Sequence, residues 1–304
     1  QAVRRRLRDR EAILVCVEDG RAGFSSFSSV LAVTRGAVSF RILDREFNPA
    51  IGSEIKSRDP IVFRRNYHQL YHQLYAPIAQ LMQEVDRVRV FPSANMAYIA
   101  FDALLADTIG PDVSSWQPLV QRHAFSQPML LLPPERKVAG DPGEERYLAP
   151  APGNGVLTDL KRVRAAMRRW AREGNLDSSG VWTSVAGAMP GAGVLYLAGH
   201  GAGESGLDQE PRHYFGADTT GRLAFMHPSD LLPLDLQAGL VVHLACQSGF
   251  FDLDRNSGPI SFARAFVYAG ARNVLSTSVP ADEAIAIRLR SEEHTSELQS
   301  PCNL

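Results

Sequence analysis

The N-terminal part of the chain alternates between short apolar runs and segments rich in glycine and serine. The three apolar runs are AILVCVE (12–18), VLAVTRG (30–36) and AVSFRIL (37–43). Short runs of β-branched and other apolar residues, interrupted by turn residues, are typical of strands connected by hairpins. The pattern therefore predicts an antiparallel β-meander.

Between residues 61 and 85 the apolar positions change to a helical spacing. The large apolar residues of this segment are Tyr67, Leu70, Tyr71, Leu74, Ile78 and Leu81. Spacings of three and four residues place side chains on one face of a helix, so we expect one long amphipathic helix here. The alternating run RVRVF (87–91) predicts a short strand after it.

The C-terminal half shows a third pattern, in which continuous apolar runs alternate with helical segments. The runs are VLYLA (194–198), LVVHLA (240–245) and NVLSTS (273–278), with a helix near residues 260–268, and two helices (157–172 and 179–189) precede them. The first of those two helices has an arginine-rich face, which we interpret as exposed to solvent. Strands that are apolar throughout are typical of a parallel sheet covered on both faces, so we expect an α/β fold.

Composition and charge narrow the classes of function. The chain has 304 residues, 45% of them hydrophobic, and a formal net charge of −1. A charge so near zero gives no reason to expect a nucleic acid or a membrane surface as partner. No run approaches the roughly 18 apolar residues of a spanning helix, and the basic start lacks the apolar core of a signal peptide. We therefore expect a cytoplasmic protein.

One segment rich in glycine, proline and charge, RKVAGDPGEERYLAPAPGNG (136–155), has no apolar period and is the predicted linker. The predicted parts are then the tail of an upstream helical region (1–10), an N-terminal half (11–135), the linker, a C-terminal half (156–289) and a final segment (290–304). The final segment contains RSEEHTSELQS, which reads as a translated sequencing adapter. We therefore exclude its His294 and Cys302 from the chemistry.

Two of the predicted buried strands run directly into reactive side chains. VLYLA is followed by Gly199, His200 and Gly201, and LVVHLA is followed by Cys246. Because neighbouring parallel strands share one carboxyl edge of a sheet, we expect His200 and Cys246 to meet there. A nearby imidazole can increase the thiolate fraction of a cysteine and later protonate a leaving amine. The N–H groups of Gly201 and Cys246 are the candidate oxyanion hole.

Both residues also have a purely structural interpretation. Cysteine is among the residue types most often buried, and a histidine beside glycine is commonly a surface loop residue. The three cysteines, Cys16, Cys246 and Cys302, have neither a disulfide pattern nor a zinc spacing. We interpret Cys16 as a packed core residue, and we expect no metal and no cofactor.

Several blocks of the chain resemble the CHAT domain, a caspase-like family of clan CD cysteine peptidases related to separase. The blocks are LYLAGHG, LVVHLACQSG and SFARAFVYAGARNVLSTSVPADEA, with VFPSANMAYIAFDALL (90–105) upstream, in a resemblance that covers roughly residues 11–287. The resemblance implies a caspase-like three-layer sandwich with a mostly parallel central sheet. It also implies that Cys246 is the nucleophile, that His200 is the general acid or base, and that the source is bacterial. The segment 278–280 departs from the family, which usually has a tryptophan there.

The same resemblance implies a protein or peptide substrate and upstream tetratricopeptide-like repeats that regulate the module. In related enzymes an acidic pocket residue can select a basic residue before the scissile bond. Asp282 and Asp252 are the first candidates for this role, and Asp254 and Glu283 are alternatives. A catalytically silent interaction module with the same fold, which signals through assembly, is the competing hypothesis.

Three further signals have ordinary structural interpretations. The glycines of Gly201–Gly206 match the dinucleotide fingerprint, but Pro211 and no helical pattern follow it, so a nucleotide-dependent oxidoreductase is the weakest alternative. His68 and His72 have the spacing of two metal ligands, yet no acidic or cysteine ligand is near, and we interpret them as part of a packed helix face. His243, on a buried strand, is interpreted as a core histidine or as a polar neighbour of the site.

Overall fold

The computed structural model describes residues 2–18, 28–43, 59–92, 96, 99–106, 115–127, 145–148, 161–171, 176–177, 182–202, 211–217, 223–245, 252–254 and 258–277. The chain divides into two compact units, Gln1–Lys137 and Val138–Leu304. This division falls inside the segment 136–155 that the sequence predicts as a linker. Each unit has its own sheet and its own hydrophobic core.

A five-stranded mixed sheet forms the framework of the first unit. After helix α1 (Ala2–Arg6), its strands are β1 (Glu11–Glu18), β2 (Ser28–Thr34), β3 (Val38–Ile42), β4 (Arg87–Phe91) and β5 (Ala124–Ser126). β1 pairs antiparallel with β2 and β2 with β3, which confirms the predicted meander. β4 lies parallel to β1, and β5 lies parallel to β4, so the spatial order is β3-β2-β1-β4-β5.

One face of this sheet contributes to the core of the first unit. Ala12, Leu14 and Cys16 alternate along β1, and all three side chains are buried. Cys16 is therefore the packed core residue that the sequence predicts. Burial raises the pKa of its thiol to about 12, so the thiol is protonated and unreactive at neutral pH.

The first part of the helix predicted over residues 61–85 is α-helical, and its N-terminus has a clear chemical cause. Helix α2 (Pro60–Leu70) begins after Asp59, whose carboxylate accepts a hydrogen bond from the N–H of Ile61 at 2.8 Å. Pro60 occupies the first helical position, where no N–H partner is required. Tyr67 and Leu70 of this helix are fully buried in the core, as the spacing predicts.

The α-helix ends at Leu70, and turns rather than a helix occupy residues 79–84, which the apolar spacing did not predict. A π-helical turn (Tyr71–Tyr75) and a 3₁₀ turn (Ala76–Ile78) replace the continuous α-helix. Pro77 gives the physical reason, because it has no N–H for the carbonyl of Gln73 and its ring would collide with that carbonyl in an α-helix. The chain widens before the proline and tightens at it, and the apolar face continues into the core through Leu74 and Ile78.

The second unit has more and shorter elements. Its strands are β6 (Glu145–Leu148), β7 (Leu176–Asp177), β8 (Val194–Ala198), β9 (His200–Ala202), β10 (Arg212–Ala217), β11 (Leu223–Met226), β12 (Leu240–Leu244), β13 (Asp252–Asp254), β14 (Gly258–Ile260) and β15 (Asn273–Ser276). Its helices are α3 (Lys161–Trp170), α4 (Trp182–Ala188), α5 (Pro228–Leu231) and α6 (Phe262–Tyr268).

The central sheet of this unit is parallel throughout its described strands, with the order β15-β12-β8-β6-β7. Neighbouring residues of one strand point to opposite faces. Leu195 and Val241 pack on one side with residues of α4 and α6, while Tyr196 and Val242 pack on the other side with Val163 of α3. Helices therefore cover both faces, which confirms the predicted three-layer α/β sandwich.

Two smaller sheets complete the described part of the second unit. β9, β10 and β11 form an antiparallel sheet, and β13 pairs antiparallel with β14. Most basic side chains of α3 are exposed, as its amphipathic pattern predicts. Within the described ranges, no helix has the length and apolar character needed to cross a bilayer.

Strand β6 differs from the sequence prediction, because it lies inside the segment 136–155. It pairs in parallel with both β7 and β8, so it belongs to the central sheet. Tyr147 and Leu148 are its buried residues, and Tyr147 stacks on Tyr196 with 4.9 Å between ring centroids. Two apolar residues between glycines and prolines give no recognisable period, which is why the pattern missed the strand.

Helix α6 offers a direct test of local stability. Ser261 precedes it, is buried, and accepts a hydrogen bond on its hydroxyl from the N–H of Arg264 at 3.1 Å. Ser261→Ala removes this cap, so we expect the free energy of unfolding to fall by about 1 kcal/mol. Urea unfolding checks the value, and Ser261→Asn, which keeps an acceptor, should recover part of the loss. An unchanged midpoint in the alanine variant would contradict the capping role.

Candidate active site

The two strands that lead to the predicted catalytic residues are neighbours in the parallel sheet. β8 pairs with β12, and Ala198 lies opposite Leu244. His200 and Cys246 each follow these paired residues by two positions in the sequence. Because the strands are parallel and paired, β8 and β12 end at the same edge of the sheet. Cys246 itself lies outside the described residues, and the carbonyl of Ala245 before it accepts a hydrogen bond from the hydroxyl of Thr277.

His200 begins strand β9, directly after the turn that ends β8. β9 pairs antiparallel with β10, which places His200 opposite Tyr214 and Gly201 opposite His213. Both His200 and Gly201 are partly exposed. His200 is therefore held on a strand and remains partly accessible to solvent.

Gly199, in the turn before His200, leaves no room for a side chain. A Cβ at this position would overlap the imidazole of His213 and the carbonyl oxygen of Tyr214. The N–H of Gly199 donates a hydrogen bond to the carbonyl of Leu244 at 3.4 Å. Glycine thus allows β10 to lie directly against the residue before His200.

A pair of fully buried histidines, His213 and His243, lies beside this turn. Nε2 of His243 and Nδ1 of His213 are 2.7 Å apart, a hydrogen-bond distance. One nitrogen donates and the other accepts, so each ring has a defined tautomer at the shared bond. The neighbouring aromatic rings are Phe215, 4.4 Å from His213, and Phe262 and Phe266, 5.0 and 5.6 Å from His243 between centroids.

Burial keeps both rings of this pair neutral. Desolvation lowers the pKa of His213 to about 3; the charge of His200 acts in the same direction, and the carbonyl of Ala198 opposes them. Desolvation also lowers the pKa of His243 well below its ordinary value, with His213 as the second cause. At neutral pH the pair therefore places no positive charge beside His200.

His243 is a buried core histidine, as the sequence predicts, whereas His213 was not identified. The usable signal for His213 is weak. In RHYFG (212–216) the buried positions His213 and Phe215 alternate with the partly exposed Arg212 and Tyr214. This alternation marks a half-buried strand, but it does not show that a histidine on it faces a second histidine.

The candidates for the acidic substrate pocket are not brought together by the described geometry. Asp252 begins β13, where it lies opposite Ile260, and Asp254 ends this strand opposite Gly258. Asp282 and Glu283 lie outside the described residues. The acidic pocket stays a prediction.

His68 and His72 of the first unit are closer to each other than the spacing alone required. Nε2 of His68 and Nε2 of His72 are 3.2 Å apart, and Nδ1 of His68 is 3.1 Å from the carbonyl oxygen of Leu105. His68 is half-buried and His72 is exposed, so the predicted helix face is only partly packed. At His72 the chain has already changed from the α-helix to the π-helical turn. Across the described ranges, no three potential metal-ligating side chains cluster together. Gly203 and Gly206 of the dinucleotide pattern lie outside them.

Comparison with known families and proteins gives two findings. A model of the CHAT domain matches residues 64–300, which is well over half of the chain and includes His200 and Cys246. The matched range also reaches into the segment 290–304 that the sequence analysis sets aside. No curated protein matches the chain.

Proposed function

The chain belongs to the CHAT-domain family, a caspase-like family related to cysteine peptidases, and on this premise we propose that it is a cysteine endopeptidase module with His200 and Cys246 as its catalytic pair. The observation that carries the proposal is the parallel pairing of β8 with β12, with Ala198 opposite Leu244. A general base and a nucleophile that follow adjacent strand ends at equal distance in the sequence can come within hydrogen-bond reach of each other, which nucleophilic catalysis requires.

In the proposed reaction, the thiol of Cys246 gives its proton to His200, and the thiolate attacks the carbonyl carbon of a peptide bond. The carbonyl oxygen becomes an oxyanion, which the N–H groups of Gly201 and Cys246 stabilise. The C–N bond then breaks, and the imidazolium of His200 protonates the leaving amine. Water, deprotonated by His200, hydrolyses the thioester and releases the acid, and the proton on His200 returns to the sulfur of Cys246.

The surroundings of His200 support this role. Its ring is partly exposed, so a substrate has access to it, and Gly201 beside it has no Cβ to keep a peptide away. The reaction needs an imidazolium at His200. The adjacent His213 is neutral at physiological pH and does not repel that charge.

The proposal is tested by labelling the full chain with a thiol-reactive peptide probe. We expect rapid labelling of the wild type at Cys246, no labelling there in Cys246→Ala, and a rate lower by about a hundredfold in His200→Ala, the usual size of a general-base contribution. Cys16→Ala is the matched control, because its thiol is buried and protonated and should not contribute. A wild type that labels no faster than Cys246→Ala would contradict the peptidase and favour the interaction module.

For the substrate, we propose a protein or peptide with a basic residue before the scissile bond, bound by Asp282 or Asp252. A carboxylate in a pocket favours a cationic side chain and disfavours an anionic one. Reporter peptides that end in Arg should therefore be cleaved faster than those that end in Asp, and the opposite preference would overturn the pocket. We also propose that upstream tetratricopeptide-like repeats regulate the module and that it acts in the cytoplasm.

A further inference from the structure

We propose that the buried His213–His243 pair positions His200, by fixing the backbone of Gly199 and His200 against the strand that leads to Cys246. The inference rests on the proposed peptidase function and assigns a role to two residues that the reaction itself does not use. His213 and His243 are positioning residues in this proposal, because neither one touches the reacting atoms.

The first step of the argument is the contact of β10 with the turn before His200. The imidazole of His213 occupies the space that a Cβ on Gly199 would fill, so ring and backbone are in direct contact. The next residue of β10, Tyr214, pairs with His200 itself. A rotation of the His213 ring therefore has to move either Gly199 or β10, and both are connected to His200.

The second step is the contact of the same turn with β12. The N–H of Gly199 donates to the carbonyl of Leu244, and His243 is the residue of β12 just before Leu244. β12 ends at Leu244, and Cys246 follows two positions later. The hydrogen bond between His243 and His213 therefore connects β12, which precedes Cys246, with β10, which pairs with His200. The Gly199 turn lies between these two strands.

The third step is that the hydrogen bond between His243 and His213 is directional and is strengthened by its burial. The nitrogens are 2.7 Å apart, both rings are fully buried, and Phe262 and Phe266 exclude water around His243. A hydrogen bond in such low-dielectric surroundings is stronger than in water, and an orphaned partner there is costly. Apolar side chains of similar size would fill the space, but they would not fix the rotation of the ring that contacts Gly199.

The fourth step concerns charge. A positioning group next to a catalytic histidine must not be a cation, because a second positive charge would oppose formation of the imidazolium. Burial keeps His213 and His243 neutral at physiological pH. The pair can therefore orient His200 without competing with it for a proton.

The test compares four variants of the full chain by the kinetics of probe labelling at Cys246. His243→Leu removes the hydrogen bond, and His243→Gln restores a donor and an acceptor. The double variant His213→Leu with His243→Leu removes both polar partners, so no orphaned imidazole compromises its folding. His123→Leu is the matched control, because His123 is a buried histidine of the first unit with its own hydrogen bonds to Tyr75 and the carbonyl of Val85.

We expect the maximal inactivation rate to fall by about tenfold to a hundredfold in His243→Leu and in the double variant, since small misplacements of a catalytic group have effects of this size. The probe concentration for half-maximal rate should change little, because the binding surface is untouched. His243→Gln should recover most of the rate, and His123→Leu should keep it per folded molecule. A double variant that folds and labels at the wild-type rate would overturn the inference.

Hydrogen exchange of the Gly199 amide separates this inference from the proposed function. Exchange there should become about tenfold faster in the double variant, because the turn loses its fixed contact, while amides of the first unit keep their rates. If the wild type does not label at Cys246, the peptidase proposal fails, and exchange still decides the positioning role. Unchanged exchange at Gly199 in both the leucine and the double variant would overturn the inference, whether or not the wild type labels.

Discussion

Acidification from about pH 7 to about pH 5 is expected to lower the free energy of unfolding of the second unit by about 2 kcal/mol through His213, and His243 adds to this loss in the same direction. His213 and His243 are neutral in the fold, because burial lowers both pKa values, that of His213 from 6.5 to about 3. In the unfolded chain both rings titrate with an ordinary pKa near 6.5. The unfolded state therefore binds more protons below that value, and stability is lost as the pH falls from about 6.5 toward about 3.

The measurement is urea unfolding at several pH values, followed by the fluorescence of Trp182, which stacks on Phe215 at 6.3 Å in the second unit. Trp116 and Trp170 are replaced by Phe in this background so that only one signal remains. His213→Leu combined with His243→Leu should remove most of the pH dependence. An equally steep loss of stability in that double variant would show that other groups cause it.

Gly270→Ala is expected to destabilise the second unit by about 3 to 5 kcal/mol, through backbone strain and overpacking together. Gly270 ends the turn after α6 with φ of +116°, a conformation that residues with a Cβ rarely adopt. An added Cβ would also collide with the carbonyl oxygen of Leu236. That carbonyl cannot easily retreat, because the N–H of Leu236 donates to the carbonyl of Ala269 at 2.6 Å.

Gly187→Ala is the matched control for this substitution, with the opposite expected sign. Gly187 lies within helix α4, and a Cβ there would meet nothing within 4 Å. Alanine is the better helix former, so we expect a gain of about 1 kcal/mol. Both changes add one methyl group, and urea unfolding measures both. Equal effects of the two variants would contradict the steric account of Gly270.

The middle of the central sheet was predictable because β8 and β12 are buried on both faces. VLYLA and LVVHLA are apolar at nearly every position, and a pattern of this kind has few interpretations other than a covered parallel strand. The same reasoning predicts that His200 and Cys246 meet at one edge of this sheet, and because Cys246 lies outside the described residues, their meeting stays a prediction. The antiparallel meander was predictable for a similar reason, since its apolar runs are separated by residues that favour turns.

The parts that the sequence did not predict depend on contacts between distant segments. β6 owes its place in the sheet to pairing with β7 and β8, and its four residues carry little signal of their own. The hydrogen bond of His213 with His243 joins two strands whose relative position only the fold defines. The π-helical turn before Pro77 is different, because the proline is visible in the sequence while the response of the helix to it is not.

The neighbouring positions of β8 and β12 also have a consequence for the order of events in folding. The two strands pair in the sheet, but β9, β10, β11 and α5 lie between them in the chain. Closing so long a loop costs entropy before any pairing rewards it, so this contact is expected to form late. In the proposed function, His200 and Cys246 have no partner in place until then, so an unfinished polypeptide on the ribosome would be unable to cleave a peptide bond. The first appearance of a reactive thiol during refolding would mark the moment at which β8 and β12 pair.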